Sequence, residues 1–178
     1  MDLNNFLPDF NAIGKTDWSK PQVDTKDKTN LLMFVGAALM VVFVFLSWIK
    51  LNATLDVMGV DVKIEGAKMG VESWYGVCAL ICGLLAVVGC LYQHVSLTFS
   101  AAVLGLVFGI VGYMSFPEVT VTGTFMGMSR SEVVKSLADW KDGVEGAKSS
   151  DISHLGAILY MVASAIVALI AYKKITKK

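Results

Sequence analysis

Four long runs of uncharged, mostly apolar residues alternate with polar segments along the chain. The runs cover residues 31–49, 74–92, 95–116 and 152–172. Each is close to the roughly 20 residues with which an α-helix crosses about 30 Å of hydrocarbon. Only Gln93 and His94 separate the second run from the third, a spacing that predicts a tight helical hairpin. The pattern therefore predicts an all-α membrane protein, built as a bundle of four transmembrane helices.

The segment between the first two runs, residues 50–73, alternates apolar and polar side chains as a half-buried β-hairpin does. A two-residue turn at Met58-Gly59 gives the register that keeps the apolar side chains on one face. That register pairs Val57 with Val60, Leu55 with Val62, Ala53 with Ile64, Thr54 with Lys63 and Asp56 with Asp61. Opposed carboxylates repel unless solvent or a cation screens them. A weak metal site at Asp56 and Asp61 is the alternative to solvated carboxylates; with no third carboxylate nearby, no metal is predicted.

The segment between the third and fourth runs, residues 117–151, begins with a second alternation. Val119, Val121 and Phe125 predict a strand that joins the hairpin in one small sheet, since an isolated hairpin is only marginally stable. The spacing Ser129-Arg130-Ser131-Glu132 is that of a capping box and predicts the start of an amphipathic helix ending near Gly143. Its apolar stripe consists of Val133, Val134, Leu137, Trp140 and Val144. This helix is predicted to lie on the membrane interface or beneath the hairpin, with binding of a partner protein as the functional alternative.

Residues 1–30 form a polar N-terminal tail that carries large aromatic side chains at Phe6, Phe10 and Trp18. Such side chains have two interpretations. They anchor a tail at the headgroup level of a membrane, or they insert into a groove of a partner protein. Together with Leu137 and Trp140 of the amphipathic helix, these three aromatic residues are the candidate partner-binding residues.

Composition and charge refine this picture. Hydrophobic residues make up 55% of the chain and charged residues 17%, and this apolar excess must face lipid. The formal net charge is zero and no broad basic surface is present, which argues against a nucleic-acid partner. Lysines are denser in tail 1–30 and in the basic tail 173–178 than in the two exposed segments, where acids outnumber basic residues. The positive-inside rule therefore predicts cytoplasmic termini in a plasma (inner) membrane, with residues 50–73 and 117–151 extracytoplasmic.

The four runs contain few residues that could take part in catalysis or transport. They contain no Asp, Glu, Lys or Arg, the residues that mark ion pathways and proton relays in membranes. No catalytic set emerges, because Asp151, Ser153 and His154 are neighbours at a helix start and point in different directions. All three cysteines lie in the second run, where they behave as small packing residues. The chain is therefore predicted not to be an enzyme and to have no catalytic residue, cofactor or metal.

Small residues recur every third or fourth position in two of the runs, as in helices that pack closely within membranes. These candidate helix-packing residues are Ala79 and Gly83 in the second run, and Ala101, Gly105, Gly109 and Gly112 in the third. Packing within one bundle is the simpler interpretation, and a seam between two chains is the alternative. Either arrangement needs a close backbone approach that larger side chains would prevent.

Four spans, cytoplasmic termini, a β-hairpin in the first exposed segment and a shorter second exposed segment together resemble the claudin-type tetraspan architecture. The likeness is one of topology. The first loop of that family carries a Trp-Gly-Leu-Trp motif followed by paired cysteines, and residues 50–73 contain neither. The resemblance therefore implies a fold and transfers no functional residue to this chain.

The exposed segments have the patterns of folded structure, whereas the apolar runs contain no Asp, Glu, Lys or Arg. This contrast favours a membrane scaffold or accessory subunit. Such a protein presents its small exposed domain to a protein partner or to a second copy of itself, and membrane lipids surround its helices. The alternative, from another class, is a channel or transporter subunit in which several copies line a pore with small polar side chains. Those side chains would include Thr98, Ser100, Ser153 and Ser164.

Overall fold

The computed structural model describes residues 13, 15 and 27–176, and the structural statements below concern these residues. Its α-helices are α1 (Lys28–Val44), α2 (Trp74–Leu91), α3 (Val95–Met114), α4 (Leu137–Gly143) and α5 (Leu155–Thr176). Its strands are β1 (Ser47–Val57), β2 (Val60–Met69), β3 (Val119–Phe125), β4 (Met128–Val134) and β5 (Ser149–Ser153). A single 3₁₀ turn, Gly70–Glu72, joins β2 to α2.

The predicted all-α class is wrong, because strands form a substantial second layer. The five strands make one antiparallel sheet in the order β4-β3-β2-β1-β5. Two strands come from the segment after α1 and three from the segment after α3, so pairing between distant parts of the chain builds the sheet. The pairing of β3 with β2 confirms the prediction that the second exposed segment joins the hairpin in one sheet. The ladder pairs the three central strands, β3, β2 and β1, on both sides, so their backbone groups find partners within the sheet.

Three helices are long and apolar enough to cross a membrane. They are α2, α3 and α5, with 18, 20 and 22 residues. Large apolar side chains on their outer surfaces are exposed, among them Ile81, Leu104 and Leu169, as suits contact with hydrocarbon tails. The helix α1 is also apolar but shorter, with 17 residues. A class of four equivalent spans therefore does not describe the chain.

The first predicted span, 31–49, is wrong at its C-terminal end, because α1 ends at Val44 and Ser47 begins β1. The N–H groups of Phe45 and Leu46 bond to carbonyls three residues earlier and tighten the last turn. The carbonyl of Leu46 then accepts a hydrogen bond from Gly70 N–H at 3.2 Å. The chain leaves the helix early because the end of β2 supplies a partner for its backbone, which hydropathy does not reveal.

The apolar helices pack as a bundle in which α1 and α3 each contact both α2 and α5. The Tyr160 hydroxyl of α5 donates a hydrogen bond to the carbonyl of Ala79 in α2 at 2.8 Å, inside the buried core. At the bundle end far from the sheet, the ammonium of Lys174 lies 3.7 Å from the Asp27 carboxylate and contacts Asn30. The start of α1 and the end of α5 therefore meet at that end of the bundle.

Asp27 also caps α1, and its Oδ1 accepts a hydrogen bond from Thr29 N–H at 2.9 Å. This backbone hydrogen bond, with a smaller contribution from Lys174, lowers the pKa of the Asp27 carboxyl. A carboxyl whose pKa is lower in the folded state contributes stability above its unfolded pKa. The contribution of the cap is therefore present at neutral pH and is lost as the pH falls through the folded pKa.

The predicted hairpin register is confirmed throughout. Val57 pairs with Val60, Leu55 with Val62, Ala53 with Ile64, Thr54 with Lys63 and Asp56 with Asp61. The turn residues Met58 and Gly59 both have positive φ angles, 55° and 82°, as a two-residue type I′ turn requires. The hairpin is predictable because alternation over so many residues permits one register, and a slip by one residue would expose every apolar side chain.

The predicted amphipathic helix is wrong in its first half. Ser129 to Val134 belong to β4, with Ser131 opposite Thr122 and Val134 opposite Val119. Helix α4 begins only at Leu137, where the hydroxyl of Ser136 accepts a hydrogen bond from Asp139 N–H at 3.1 Å. The segment Ser129-Arg130-Ser131-Glu132 has the spacing of a helix cap and also a spacing compatible with a strand. It forms a strand because β3 lies beside it and supplies backbone hydrogen-bond partners.

A second, smaller core lies between α4 and one face of the sheet, here called the inner face. Its buried side chains are Ile49, Leu51, Ala53, Val119, Val121 and Trp140. Trp140 of α4 is 3% exposed and covers the apolar residues of the central strands. The opposite, outer face carries Lys63 and Glu65 of β2 and Thr122 of β3, which are not buried. Because only the inner face is buried, apolar and polar side chains alternate along the strands.

Candidate protein-interaction surface

Both hairpins of the sheet turn through a methionine and a glycine. Met126 and Gly127 join β3 to β4 with φ angles of 49° and 77°, close to those of Met58 and Gly59. The left-handed conformation costs an ordinary L-residue roughly 1–2 kcal/mol, and asparagine or glycine normally occupies it. The Met58 side chain is 99% exposed and that of Met126 is 77% exposed. Burial therefore does not compensate for this backbone cost in either turn.

These turns lie at the end of the sheet that points away from the helices. Strand β1 leaves the bundle after α1 and β2 returns to it before α2, while β3 leaves it after α3. Other exposed apolar side chains cluster near the turns. We call the set the distal tip, and its members are Val57, Met58, Val60, Met126 and Met128. Exposed thioether side chains are flexible and polarizable, which suits contact with a protein partner.

The side chain of Lys148 lies beside the paired carboxylates of Asp56 and Asp61 and supplies the positive charge that screens them. The Lys148 ammonium lies 3.1 Å from the Asp61 carboxylate and 3.8 Å from that of Asp56. The backbone holds this lysine in place, because its N–H donates to the Thr54 carbonyl at 2.8 Å. A side chain from the linker before β5 thus screens the repulsion that the hairpin register creates. The described residues contain no cluster of three or more histidine, cysteine or acidic side chains suited to a metal ion.

Replacing Lys148 with methionine should lower the free energy of unfolding by less than about 1 kcal/mol, because all three charged side chains are largely exposed to solvent. The loss should shrink in high salt, which screens the two carboxylates from each other. Lys135→Met is the matched control, since no ion pair joins Lys135 to another described residue. Chemical denaturation at low and high salt measures both variants; an equal loss in both would contradict the ion-pair role.

One long edge of the sheet is uncovered. Strand β4 is one of the two edge strands, the other being the five-residue β5, and all residues of β4 except Val134 are exposed. Beside it, a groove of about 250 Å³ separates α4 from the inner face of β3 and β4. Apolar side chains of Val121, Trp140 and Val144 line it together with the charged side chains of Arg130, Glu132 and Asp139. The β4 edge and this α4 groove form one continuous surface.

The structure separates the predicted partner-binding residues. Trp140 is 3% exposed and belongs to the sheet core, so its indole is not presented to a partner. Leu137 is 39% exposed at the start of α4. Phe6, Phe10 and Trp18 lie outside the described residues. Sequence reasoning missed the distal tip, although the repeated Met-Gly dipeptide between alternating segments was a usable signal for a second turn at residues 126–127.

The predicted helix-packing residues are buried, and their neighbours belong to the same chain. A side chain at Gly105 would approach the Tyr160 hydroxyl to 2.7 Å, and one at Gly109 would approach Met161 to 2.7 Å. A side chain at Gly112 would meet Trp48 at 2.4 Å, and one at Gly83 would meet Val41 at 3.1 Å. Ala79 and Ala101 are 0% and 3% exposed. These six small residues make room for the helices and for two aromatic rings.

The small polar residues considered for a pore are dispersed. Thr98 and Ser164 are buried within the bundle, and the Thr98 hydroxyl donates to the His94 carbonyl at 3.2 Å. Ser153 lies in β5, outside the helices. His94 precedes α3 at the far end of the bundle, whereas the His154 ring packs against Tyr113 at the sheet end, with ring centroids 5.1 Å apart. These positions bring neither a polar lining nor a histidine pair together.

The described chain combines three helices that are long and apolar enough to cross a membrane with a five-stranded sheet at one end of them. This combination defines a class, that of membrane-associated proteins with a β-sheet at one end of their apolar helices. Comparison with protein families, with characterised proteins and with solved structures found no match. The distal tip and the β4 edge are the exposed features of the sheet that bear on function.

Proposed function

We propose that this protein is a non-enzymatic membrane scaffold or accessory subunit, which uses its sheet to bind a protein partner. The helices anchor the sheet, and the distal tip is held away from them by the length of the first hairpin. An antiparallel strand rises about 3.4 Å per residue, so the 11-residue β1 reaches roughly 35 Å. The tip is thus presented well beyond the membrane surface.

The observation that carries the proposal is the choice of methionine in both tight turns. At Met58 and Met126 the backbone conformation disfavours methionine, and water surrounds the apolar side chain. Departures from the locally most stable residue are expected at functional sites, where another requirement decides. Contact of these side chains with a partner would bury them and supply the missing compensation.

The charge distribution sets the orientation within this proposal. Lys28, Lys173 and Lys174 lie at the bundle end opposite the sheet. Positive charge next to a membrane span favours the cytoplasmic side. We therefore propose that the sheet lies outside the cytoplasm and that both chain ends lie inside it, in a plasma (inner) membrane. A partner then has to be an extracytoplasmic protein or the extracytoplasmic part of another membrane protein.

The double substitution Met58→Asn with Met126→Asn separates stability from binding. Asparagine accepts the left-handed conformation, so each change should stabilise the sheet by about 0.5–1 kcal/mol. The same variant should lose its partner, because both exposed thioethers are removed. Two measurements on one purified sample check this: the thermal midpoint in mild detergent, and the mass of the solubilised complex from native membranes by native mass spectrometry.

Met69→Asn is the matched control, since it makes the same chemical change at an exposed methionine at the end of β2 nearest the helices. It should leave the complex intact. A wild-type protein that is always monomeric, with no protein cross-linked to residue 58 or 126 in native membranes, would overturn the proposal. So would solute or ion flux through liposomes that contain only this protein, because flux would identify a channel or transporter.

A further inference from the structure

The β4 edge offers unpaired backbone groups in a regular order. Phe125 and Met128 flank the two-residue turn, and such flanking residues exchange both backbone hydrogen bonds. Hydrogen-bonded pairs alternate along an antiparallel ladder, so Arg130 and Glu132 direct their N–H and C=O groups toward β3. Ser129, Ser131 and Val133 direct theirs outward. An added strand opposite Ser131 would satisfy these three residues, as in β-augmentation.

The side chains of this edge carry a charge pattern. Arg130 and Glu132 both project from the inner face, because they pair with Gly123 and Val121. Both are exposed, and neither has an ion-pair partner within the described part of the chain. Asp139 of α4 lines the same groove as Glu132, so the end of the edge near α4 is acidic and Arg130 marks a basic position next to it.

We propose that the β4 edge and the α4 groove bind an extended segment of the partner protein as a sixth strand, antiparallel to β4. The proposal rests on the function proposed above and gives the partner a chemical pattern. An acidic side chain lies opposite Arg130 and a basic one opposite Glu132, with apolar side chains opposite Met128 and Val134. The segment thus has seven residues, counted from its N-terminus. Positions 1 and 7 are apolar, position 3 is basic and position 5 is acidic, while positions 2, 4 and 6 are unrestricted.

The groove explains why the basic position should be a lysine or arginine. Its apolar lining includes Ile64, Val134 and Val144, which are partly exposed and suit an aliphatic stem. The exposed carboxylates of Glu132 and Asp139, which also line the groove, suit the charged head. Backbone hydrogen bonds to the edge would supply affinity, and this one pocket would supply much of the specificity. An antiparallel strand also continues the order of the existing sheet.

The test uses two peptides of identical composition, VTKTETV and VTETKTV, each with a fluorescent label, and the full chain in detergent micelles. Fluorescence anisotropy should show that the wild type binds VTKTETV at least about tenfold more tightly, because the second peptide places like charges opposite Arg130 and Glu132. The exchange variant R130E/E132R should reverse this preference. Reversal by a charge exchange cannot come from loss of folding, and circular dichroism checks the fold of each variant.

Ser131→Pro is the second variant, since it removes one outward N–H and an edge strand tolerates proline there. It should weaken binding of VTKTETV severalfold. Equal affinity of the wild type for both peptides, or preference for VTETKTV, would overturn the proposal. If the complex that depends on Met58 and Met126 still forms in that case, the scaffold function survives and only the strand-docking mode fails. If the complex is absent but the peptide preference reverses as expected, the docking site stands and the distal tip has been assigned wrongly.

Discussion

Replacing Trp48 with alanine is expected to lower the free energy of unfolding by about 3–5 kcal/mol, the range for deleting a large buried aromatic side chain. Trp48 is 2% exposed at the junction between β1 and the helices. Its indole N–H donates to the Phe43 carbonyl at 3.0 Å. The ring stacks on Tyr75 at 6.0 Å and tilts against Tyr160 at 5.4 Å between ring centroids.

Glycines make the space for this indole. A side chain at Gly70 would reach the Trp48 ring at 2.5 Å, one at Gly112 at 2.4 Å and one at Gly156 at 3.0 Å. The alanine variant would leave a cavity among backbones that are already close together and cannot collapse much further. It would also loosen the sheet from the bundle, because Trp48 is the side chain of β1 that enters the helical core.

Trp74→Ala is the control for this prediction. Trp74 is 67% exposed at the start of α2, and its ring makes only edge contacts with Tyr75 and Phe108. Its removal should cost less than about 1 kcal/mol, since exposed aromatic pairs contribute roughly that amount. Unfolding in mixed detergent and SDS, followed by far-ultraviolet circular dichroism, compares the two variants. Equal losses would show that Trp48 does not join the two layers.

The second large effect is expected at Gly76. An added Cβ would lie 1.8 Å from the carbonyl oxygen of Gly70 and 2.4 Å from its carbonyl carbon. Both are backbone atoms of the 3₁₀ turn before α2, so no side-chain rotation can relieve the clash. Gly76→Ala should therefore cost about 3 kcal/mol or more, at the upper end of the range for overpacked sites. The Ser73 cap, whose hydroxyl accepts from Gly76 N–H at 3.3 Å, would be displaced as well.

Gly143→Ala makes the same chemical change where there is space. Nothing lies within 4 Å of the position that an added Cβ would take, and the residue is the last of the exposed helix α4. Alanine favours the helix over glycine, so this variant should be neutral or up to about 1 kcal/mol more stable. Thermal melting of both variants in one detergent tests the pair. A Gly76→Ala protein that melts with the wild type would disprove the close approach of α2 to the 3₁₀ turn.

The register of the first hairpin was predictable to the residue because its information is local. Alternation over β1 and β2 and a Met-Gly turn between them leave one register that buries the apolar side chains. The same holds for the long apolar runs of α2, α3 and α5, whose length and lack of charge are visible in the sequence. Of the interaction surface, the turn at Met58 and the groove residues Trp140 and Val144 were named beforehand, the latter two as part of a helical stripe. The exposure of the turn methionines was not predicted, since it depends on what surrounds them.

The segment from Ser129 to Val134 shows why the rest was not predictable. Its serines and glutamate have the spacing of a helix cap and also the alternation of a strand, so local preference is divided. Strand β3 supplies hydrogen-bond partners for the strand conformation, and Ser136 provides the cap for α4 further along. Likewise, the spacing of Trp140 on a helical stripe is the same whether the residue packs in a core or binds a partner protein. Its burial against the sheet, which the sequence does not reveal, makes it a core residue.

The membrane character of the apolar runs and the register of the first hairpin follow from the amino-acid sequence alone, because both depend on the period and length of apolar segments. Three other features arise only when the chain packs: Ser47 to Ile49 leave the first helix, Lys148 screens the Asp56–Asp61 pair, and Ser129 to Val134 become the edge strand β4 instead of a helix. These features depend on contacts between residues far apart in the chain. Short-range patterns cannot encode which distant backbone satisfies a given N–H or which distant charge meets a carboxylate.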